Sequence, residues 1–343
     1  MDKKLLQRLR ERYADAPGDR FFSERFQRAG EQLAKASHKL LQPYNGVATL
    51  LDQPFQCDLD DLDLALVGIP MDLGVTNRAG ARLGPRAVRS VERIGPYHPT
   101  HDIVPRAILR AADVGDVPMK SRFDLHQCLR DIEEFFVSLR ERNIVPLSVG
   151  GDHSITYPIM KALGAETPLG MVHIDAHCDT GGAYDGEKFH HGGPFRQAVL
   201  AGVLDPKRCI QIGIRGTAGI STEFSYDSGM TVVHIEDVYR DGIEAVAERA
   251  RAVVAGGPLY VSVDVDGIDP AYTPGTGTPE IGGLTPLEVQ LLLRSLRGLP
   301  IIGGDVVEIA PQYDSSSNTA HVGAAMLFEL FALAALAGSD DTV

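Results

Sequence analysis

Seven short apolar runs after residue 60 constrain the fold of this chain more than any other feature. They are LDLALVGIP (62–70), NIVPLSVGG (143–151), LGMVHID (169–175), CIQIGIRG (209–216), TVVHIED (231–237), PLYVSVDVD (258–266) and LPIIGGDVVEIA (299–310). Each is rich in Val, Ile or Leu and of strand length, and helically spaced stretches such as LHQCLRDIEEFFVSLRER and GIEAVAERARAVVAG lie between several of them. Strands that are apolar on both faces and alternate with helices imply a parallel sheet covered on both sides. No repeat or low-complexity linker divides this region, so one α/β domain is expected. In such sheets functional groups gather at the carboxyl ends of the strands.

The polar clusters fall there. In DAHCD (175–179) the alternate positions Asp175, His177 and Asp179 project to one side of an extended chain. SVGGDHS (148–154) places His153 just past a strand, and SVDVDGIDP (262–270) puts Asp264 and Asp266 on one face. Carboxylates crowded at strand ends repel one another and lose hydration, a cost that divalent cations offset. Two imidazoles and four carboxylates suit manganese, nickel or iron better than a thiolate-type zinc site, and a dinuclear centre is the simplest charge balance. Asp152 and Asp269 are expected to orient ligands or shape turns, and His173 to be a satisfied core histidine.

Composition narrows the function classes. The formal net charge of −13 opposes non-specific binding to nucleic acid or an anionic membrane and favours a cationic substrate. Four scattered cysteines suggest neither a disulfide framework nor a zinc knuckle, which fits a reducing cytoplasm. The charged start is unlike a secretory signal, and no uninterrupted apolar stretch approaches membrane-spanning length. Residues 1–60 read as a helical N-terminal arm, with LLQRLRERY and RFQRAGEQLAKASHKLL at helical spacing, and 61–343 as the α/β domain.

In this order and at these separations, GGDH, DAHCD and SVDVDGIDP resemble the three signatures of the ureohydrolase family of arginases, agmatinases, guanidinobutyrases and guanidine hydrolases. Similarity extends over GARLGPRAVR (80–89), GTGTPEIGGLT (275–285) and GGDVVEIAPQYD (303–314). The resemblance implies a three-layer αβα arginase-like fold with a central, mostly parallel sheet. It implies two divalent ions, Mn²⁺ or Ni²⁺, the first held by His153, Asp175, Asp179 and Asp264. The second would be held by Asp175, His177, Asp264 and Asp266, with Asp175 and Asp264 bridging. It also implies a homo-oligomer, a trimer or hexamer; a homologous partner subunit is an alternative.

The implied reaction is hydrolysis of a guanidino C–N bond, giving urea or a urea derivative and an amine or ammonia. A hydroxide bridging two cations is the strong nucleophile that a resonance-stabilised guanidinium requires. Asp179 would accept its hydrogen bond. In KFHHGGPFRQA (188–198), His191 matches the family's loop histidine and would shuttle a proton to the leaving nitrogen. Glu308 resembles the carboxylate that holds the guanidinium. Thr76, Asn77 and His190 are candidate substrate contacts, with turn or loop roles as the alternative. Glycines replace the expected polar anchor in TGGAYDGEKF, and RGTAGISTEF lacks the acidic residue found there in arginases. The expected substrate is therefore agmatine, free guanidine or an N-alkylguanidine or biguanide such as metformin, rather than arginine. A guanidino-acid hydrolase and a supporting, non-catalytic subunit are the alternatives.

Overall fold

The computed structural model describes residues 2–36, 45–92, 94–216 and 219–338. Its strands are β1 (Leu64–Ile69), β2 (Ala111–Asp116), β3 (Val145–Gly150), β4 (Leu169–Ile174), β5 (Leu204–Ile214), β6 (Thr231–His234), β7 (Leu259–Asp264) and β8 (Ile301–Val307). They form one sheet in the order β2-β1-β3-β8-β7-β4-β5-β6, and every pairing is parallel. The last strand in sequence thus occupies the middle, between β3 and β7.

The helices are α1 (Lys3–Tyr13), α2 (Glu24–Ala36), α3 (Gly84–Arg89), α4 (Leu125–Glu141), α5 (Thr156–Leu163), α6 (Pro194–Leu200), α7 (Glu223–Ser228), α8 (Ile235–Asp241), α9 (Ile243–Val254), α10 (Pro286–Ser295) and α11 (Asn318–Ala335). Alternation along each strand separates two cores. Leu66, Val149, Ile174 and Val263 face α3, α9, α10 and α11. Val67, Ile69, Met171 and Tyr260 face α4, α5 and α6. Three layers result, with apolar residues on both sheet faces as a covered parallel sheet requires. In α4, Asp124 caps the first turn by accepting from the Gln127 N–H at 3.0 Å, and Cys128, Leu129, Ile132, Phe136 and Leu139 form the buried stripe. Truncating the fully buried Phe136 to Ala would cost about 3–5 kcal/mol.

Two elements go beyond the seven apolar runs. The sequence AADVGD gave no strand signal, yet it forms β2 at the sheet edge. Only Val114 there is β-branched; the strand is held by pairing with β1 and by a bridge between Phe55 and Asp113 on its outer side. Conversely, α11 is long and apolar enough by length and composition to cross a bilayer, with 67% of it buried inside the fold. It packs on β8, β3 and α10 as a core helix.

In the arm, α1 buries no residue and α2 buries only Ala29. Residues 37–41 of the second expected helical stretch lie outside the described residues. Leu50 and Leu51 are buried in the main core, and the Leu50 N–H donates to Asp113 Oδ2 at 2.8 Å. The chain from Leu50 therefore packs as part of the body.

Candidate active site

The candidate ligands project from the carboxyl ends of β3, β7 and β4, and Glu308 follows β8, so four adjacent central strands build the site. At the end of β3, Gly151 passes so close to β1's continuation that a Cβ there would lie 1.6 Å from the Met71 carbonyl oxygen. That close passage lets the chain turn at Asp152 and brings His153 beside Asp175, Asp179 and Asp264. Asp179 and Glu308 have φ of 50° and 63°, a left-handed conformation that costs non-glycine residues energy and concentrates at functional sites.

Two groups of ligand-type atoms share Asp175. His153 Nδ1 lies 3.2 Å from Asp175 Oδ2, 2.9 Å from Asp179 Oδ2 and 3.3 Å from Asp264 Oδ2. It is buried and aligned for a hydrogen bond with none of them. His177 Nδ1 lies 3.3 Å from both Asp175 Oδ1 and Asp266 Oδ2. A buried nitrogen among three carboxylate oxygens, satisfied by none, is an arrangement that a divalent cation fills, so these residues fit the implied ions. Asp175 faces both groups. Asp264 presents Oδ2 to His153 and uses Oδ1 to accept from the Asp266 N–H at 2.8 Å.

The electrostatics agree. Burial works to raise the Asp175 pKa, but His173, His153 and His177 overcome it and hold it well below the carboxylate range. Burial and then the charges of Asp266 and Asp175 push Asp264 well above that range. Burial and Asp175 push Asp266 up to about 6. Burial would lower His153, but Asp175, Asp179 and Asp264 outweigh it and raise it. The carboxylates cannot all ionise comfortably without added positive charge.

His173 belongs to the buried surroundings. The Gln211 amide donates to the Cys178 carbonyl at 2.5 Å and to His173 Nδ1 at 3.2 Å. His173 Nε2 therefore carries the proton and donates it to Asp175 Oδ2 at 2.7 Å, leaving no ring nitrogen for an ion. Asp152 accepts from the N–H groups of Gly74 and Ser154, fixing the loop that carries Thr76. Asp269 accepts from the Ala271, Gly282 and Gly283 N–H groups, a turn role.

His191 Nδ1 lies 2.8 Å from Glu308 Oε1, and its Nε2 lies 2.7 Å from Thr76 Oγ1 and 3.1 Å from Thr76 N. Burial lowers its pKa, but the charge and hydrogen bond of Glu308 prevail and raise it to about 9. Glu308 Oε1 also accepts from the His153 N–H at 2.9 Å, while its Oε2 is buried without a partner.

Thr76, His177, Asp179, His191, Asp264 and Glu280 help line a cavity of about 290 Å³. Asn77 and His190 do not line it. Asn77 Nδ2 reaches the Gly277 carbonyl at 3.3 Å. The His190 ring joins the Gly182 carbonyl, at 2.6 Å, to the Gly192 N–H, at 3.2 Å, and so clasps the two ends of the loop that carries His191. Sequence reasoning gave no role to Thr278, which donates to Asp266 Oδ2 at 3.0 Å, or to Glu280 and Arg215 in the lining. Their signal was the TGTPE segment following SVDVDGIDP, and the arginine ending β5. Thr217 and Ala218 of RGTAGISTEF lie outside the described residues.

A family model described as the arginase family matches residues 62–332. The chain is 48% identical over 296 residues to the guanidinopropionase of Pseudomonas aeruginosa, covering 85% of this chain and 93% of that protein. It is 44% identical over 289 residues to the mitochondrial agmatinase of Gallus gallus, covering 83% and 85%. Among solved structures, proclavaminate amidino hydrolase from Streptomyces clavuligerus aligns with a TM-score of 0.82 and 34% identity, over 87% of this chain and 100% of that one. The matched stretch takes in the whole sheet and every candidate ligand: the chain belongs to the arginase family.

Proposed function

We propose that this chain hydrolyses the guanidino C–N bond of a small substrate with a cationic or uncharged tail, agmatine or guanidine being the first candidates. Family membership makes it an amidinohydrolase acting on guanidino compounds. The observation that carries the reading is Glu308 Oε2, a buried acceptor left without a donor beside the ligand cluster, where a guanidinium N–H would pair with it. When bound, two divalent cations held by His153, His177 and the four aspartates would supply charge neutralisation and an acidified water.

The chain's own groups would do the rest. Glu308 orients the guanidinium and, through Oε1, holds His191. His191 directs Nδ1 to Glu308, and its pKa, raised to about 9, favours taking up a proton at Nε2 that can pass to the leaving nitrogen. The Thr76 N–H donates to unprotonated Nε2 at 3.1 Å, and Thr76 Oγ1, 2.7 Å away, can accept from Nε2 once it is protonated, so Thr76 keeps the ring in place through both states.

The tail preference rests on charge. Arg215 lines the cavity, but its guanidinium donates to the backbone carbonyls of Gly213, Asp266, Gly267 and Glu280. No lysine is among the described lining residues, which include Glu280. A carboxylate tail thus finds no uncommitted cation there. A second reading, a guanidino-acid hydrolase, is favoured by the 48% identity to a guanidinopropionase. The deciding experiment is product release from guanidine, agmatine, arginine, 4-guanidinobutyrate, 3-guanidinopropionate and metformin, with protein reconstituted separately with Mn²⁺ and Ni²⁺. Turnover of agmatine or guanidine above both guanidino acids supports the first reading; preference for either acid replaces it with the second.

A further inference from the structure

We infer that Asp305, whose hydrogen bonds go to hydroxyls rather than to any metal-binding side chain, is a positioning residue that sets the tautomer of His153 through Ser262. The inference rests on the two-metal reading above and concerns one of the two ions. Asp305 lies on β8 and is fully buried. Tyr260 Oη and Thr156 Oγ1 each donate to its Oδ2 at 2.7 Å, and Ser262 Oγ donates to Oδ1 at 2.6 Å. Three hydroxyls converge on this carboxyl group, and Ser262 spends its one proton on Asp305 Oδ1.

The consequence propagates to the ligand. Ser262 Oγ is also 2.8 Å from His153 Nε2, and with its proton committed it can only accept there. The ring proton is therefore held at Nε2, and the Nδ1 lone pair is turned into the space between Asp175, Asp179 and Asp264. A carboxylate behind a ligating imidazole fixes its orientation and strengthens it as a donor. Among the described residues His177 has no equivalent: its Nε2 is 3.8 Å from Glu280 Oε1, beyond hydrogen-bond reach. Loss of the relay should then weaken the ion at His153 and spare the one at His177. A hub that merely supports packing would lower stability without choosing between the ions.

The test is titration of metal-free wild type, Ser262→Ala, Asp305→Asn and Tyr260→Phe with Mn²⁺ at buffered free concentrations. Ions bound per chain are counted, and melting temperatures are recorded without metal. Wild type should take two ions. Ser262→Ala and Asp305→Asn should bind one ion about 10- to 100-fold more weakly and leave the other step unchanged. Tyr260→Phe removes a donor from Asp305 but keeps the Ser262 link, and should melt lower while binding both ions as wild type does. If Asp305→Asn does not fold, Ser262→Ala carries the comparison. Wild-type binding by Ser262→Ala, or equal weakening of both steps, overturns the relay. Fewer than two ions on wild type would instead sink the two-metal reading, and this inference with it.

Discussion

Glu308 divides its carboxylate between two tasks: Oε1 accepts from His191 Nδ1 at 2.8 Å and from the His153 N–H, while buried Oε2 accepts from nothing. Glu308→Gln should therefore do more than remove a charge. Two donors require the amide oxygen at the Oε1 position, which puts the amide NH₂ where Oε2 was, facing the donors of a guanidinium. The expected loss in kcat/KM is about 10²- to 10³-fold, comparable to deleting a preorganised charged contact, with metal content unchanged. Steady-state kinetics beside metal analysis would check it; a variant that loses metal in step with rate would contradict this division of roles.

His191→Ala should retain its ions and lose about 10²- to 10⁴-fold in kcat. The same residue makes a pH signature. Its pKa is raised from 6.5 to about 9 in the fold, so the ring's pairing with Glu308 stabilises fully below about pH 6.5 and is lost as pH rises through about 9. In metal-free protein the melting-temperature advantage of wild type over His191→Ala should shrink across that window. A constant difference from pH 6 to pH 10 would show that the pair does not form.

Asp266 predicts a loss of stability in the same direction, at lower pH. Its pKa is raised from 3.8 to about 6, so it favours the fold below about pH 3.8, and that contribution is lost as pH rises through about 6. Asp152 is raised to about 6 by burial and then by Glu308, and adds to the same trend. At pH 7.5 metal-free Asp266→Asn should melt about 1–3 °C above wild type, yet gain less from added Mn²⁺. Thermal melts with and without metal would show the crossing; an asparagine variant less stable without metal would refute the account.

Gly151→Ala tests the close passage at the end of β3. A Cβ placed 1.6 Å from a backbone oxygen cannot be relieved by turning a side chain. The variant should lose more than about 3 kcal/mol, read from urea denaturation or from failure to accumulate in soluble form.

The sheet and the ligand cluster were legible in the sequence for a common reason. Asp175, His177 and Asp179 directly follow β4, Asp264 ends β7 and Asp266 lies in the turn just past it, so the strand signals also marked where these side chains gather. What escaped the sequence depends on distant partners. β2 has little strand propensity of its own and exists through β1. Thr76 meets His191 across 115 positions, and Ser262 meets His153 across 109. No local pattern reports such meetings. His190 shows the limit of adjacency: it neighbours His191 in the chain, yet its ring is spent on the backbone of its own loop.

The placement of β8 also governs when this protein can mature. Before residues 301–307 have been synthesised, the strands already made form two separate sets, β2-β1-β3 and β7-β4-β5-β6, with no neighbour to join them. His153 belongs to the first set, and Asp175, Asp179 and Asp264 to the second. Until β8 lies between the two sets, nothing holds the His153 ring beside these carboxylates, however much of the hydrophobic interior has already collapsed. Insertion of the final strand closes the gap, so assembly of the His153 half of the site is coupled to completion of the sheet.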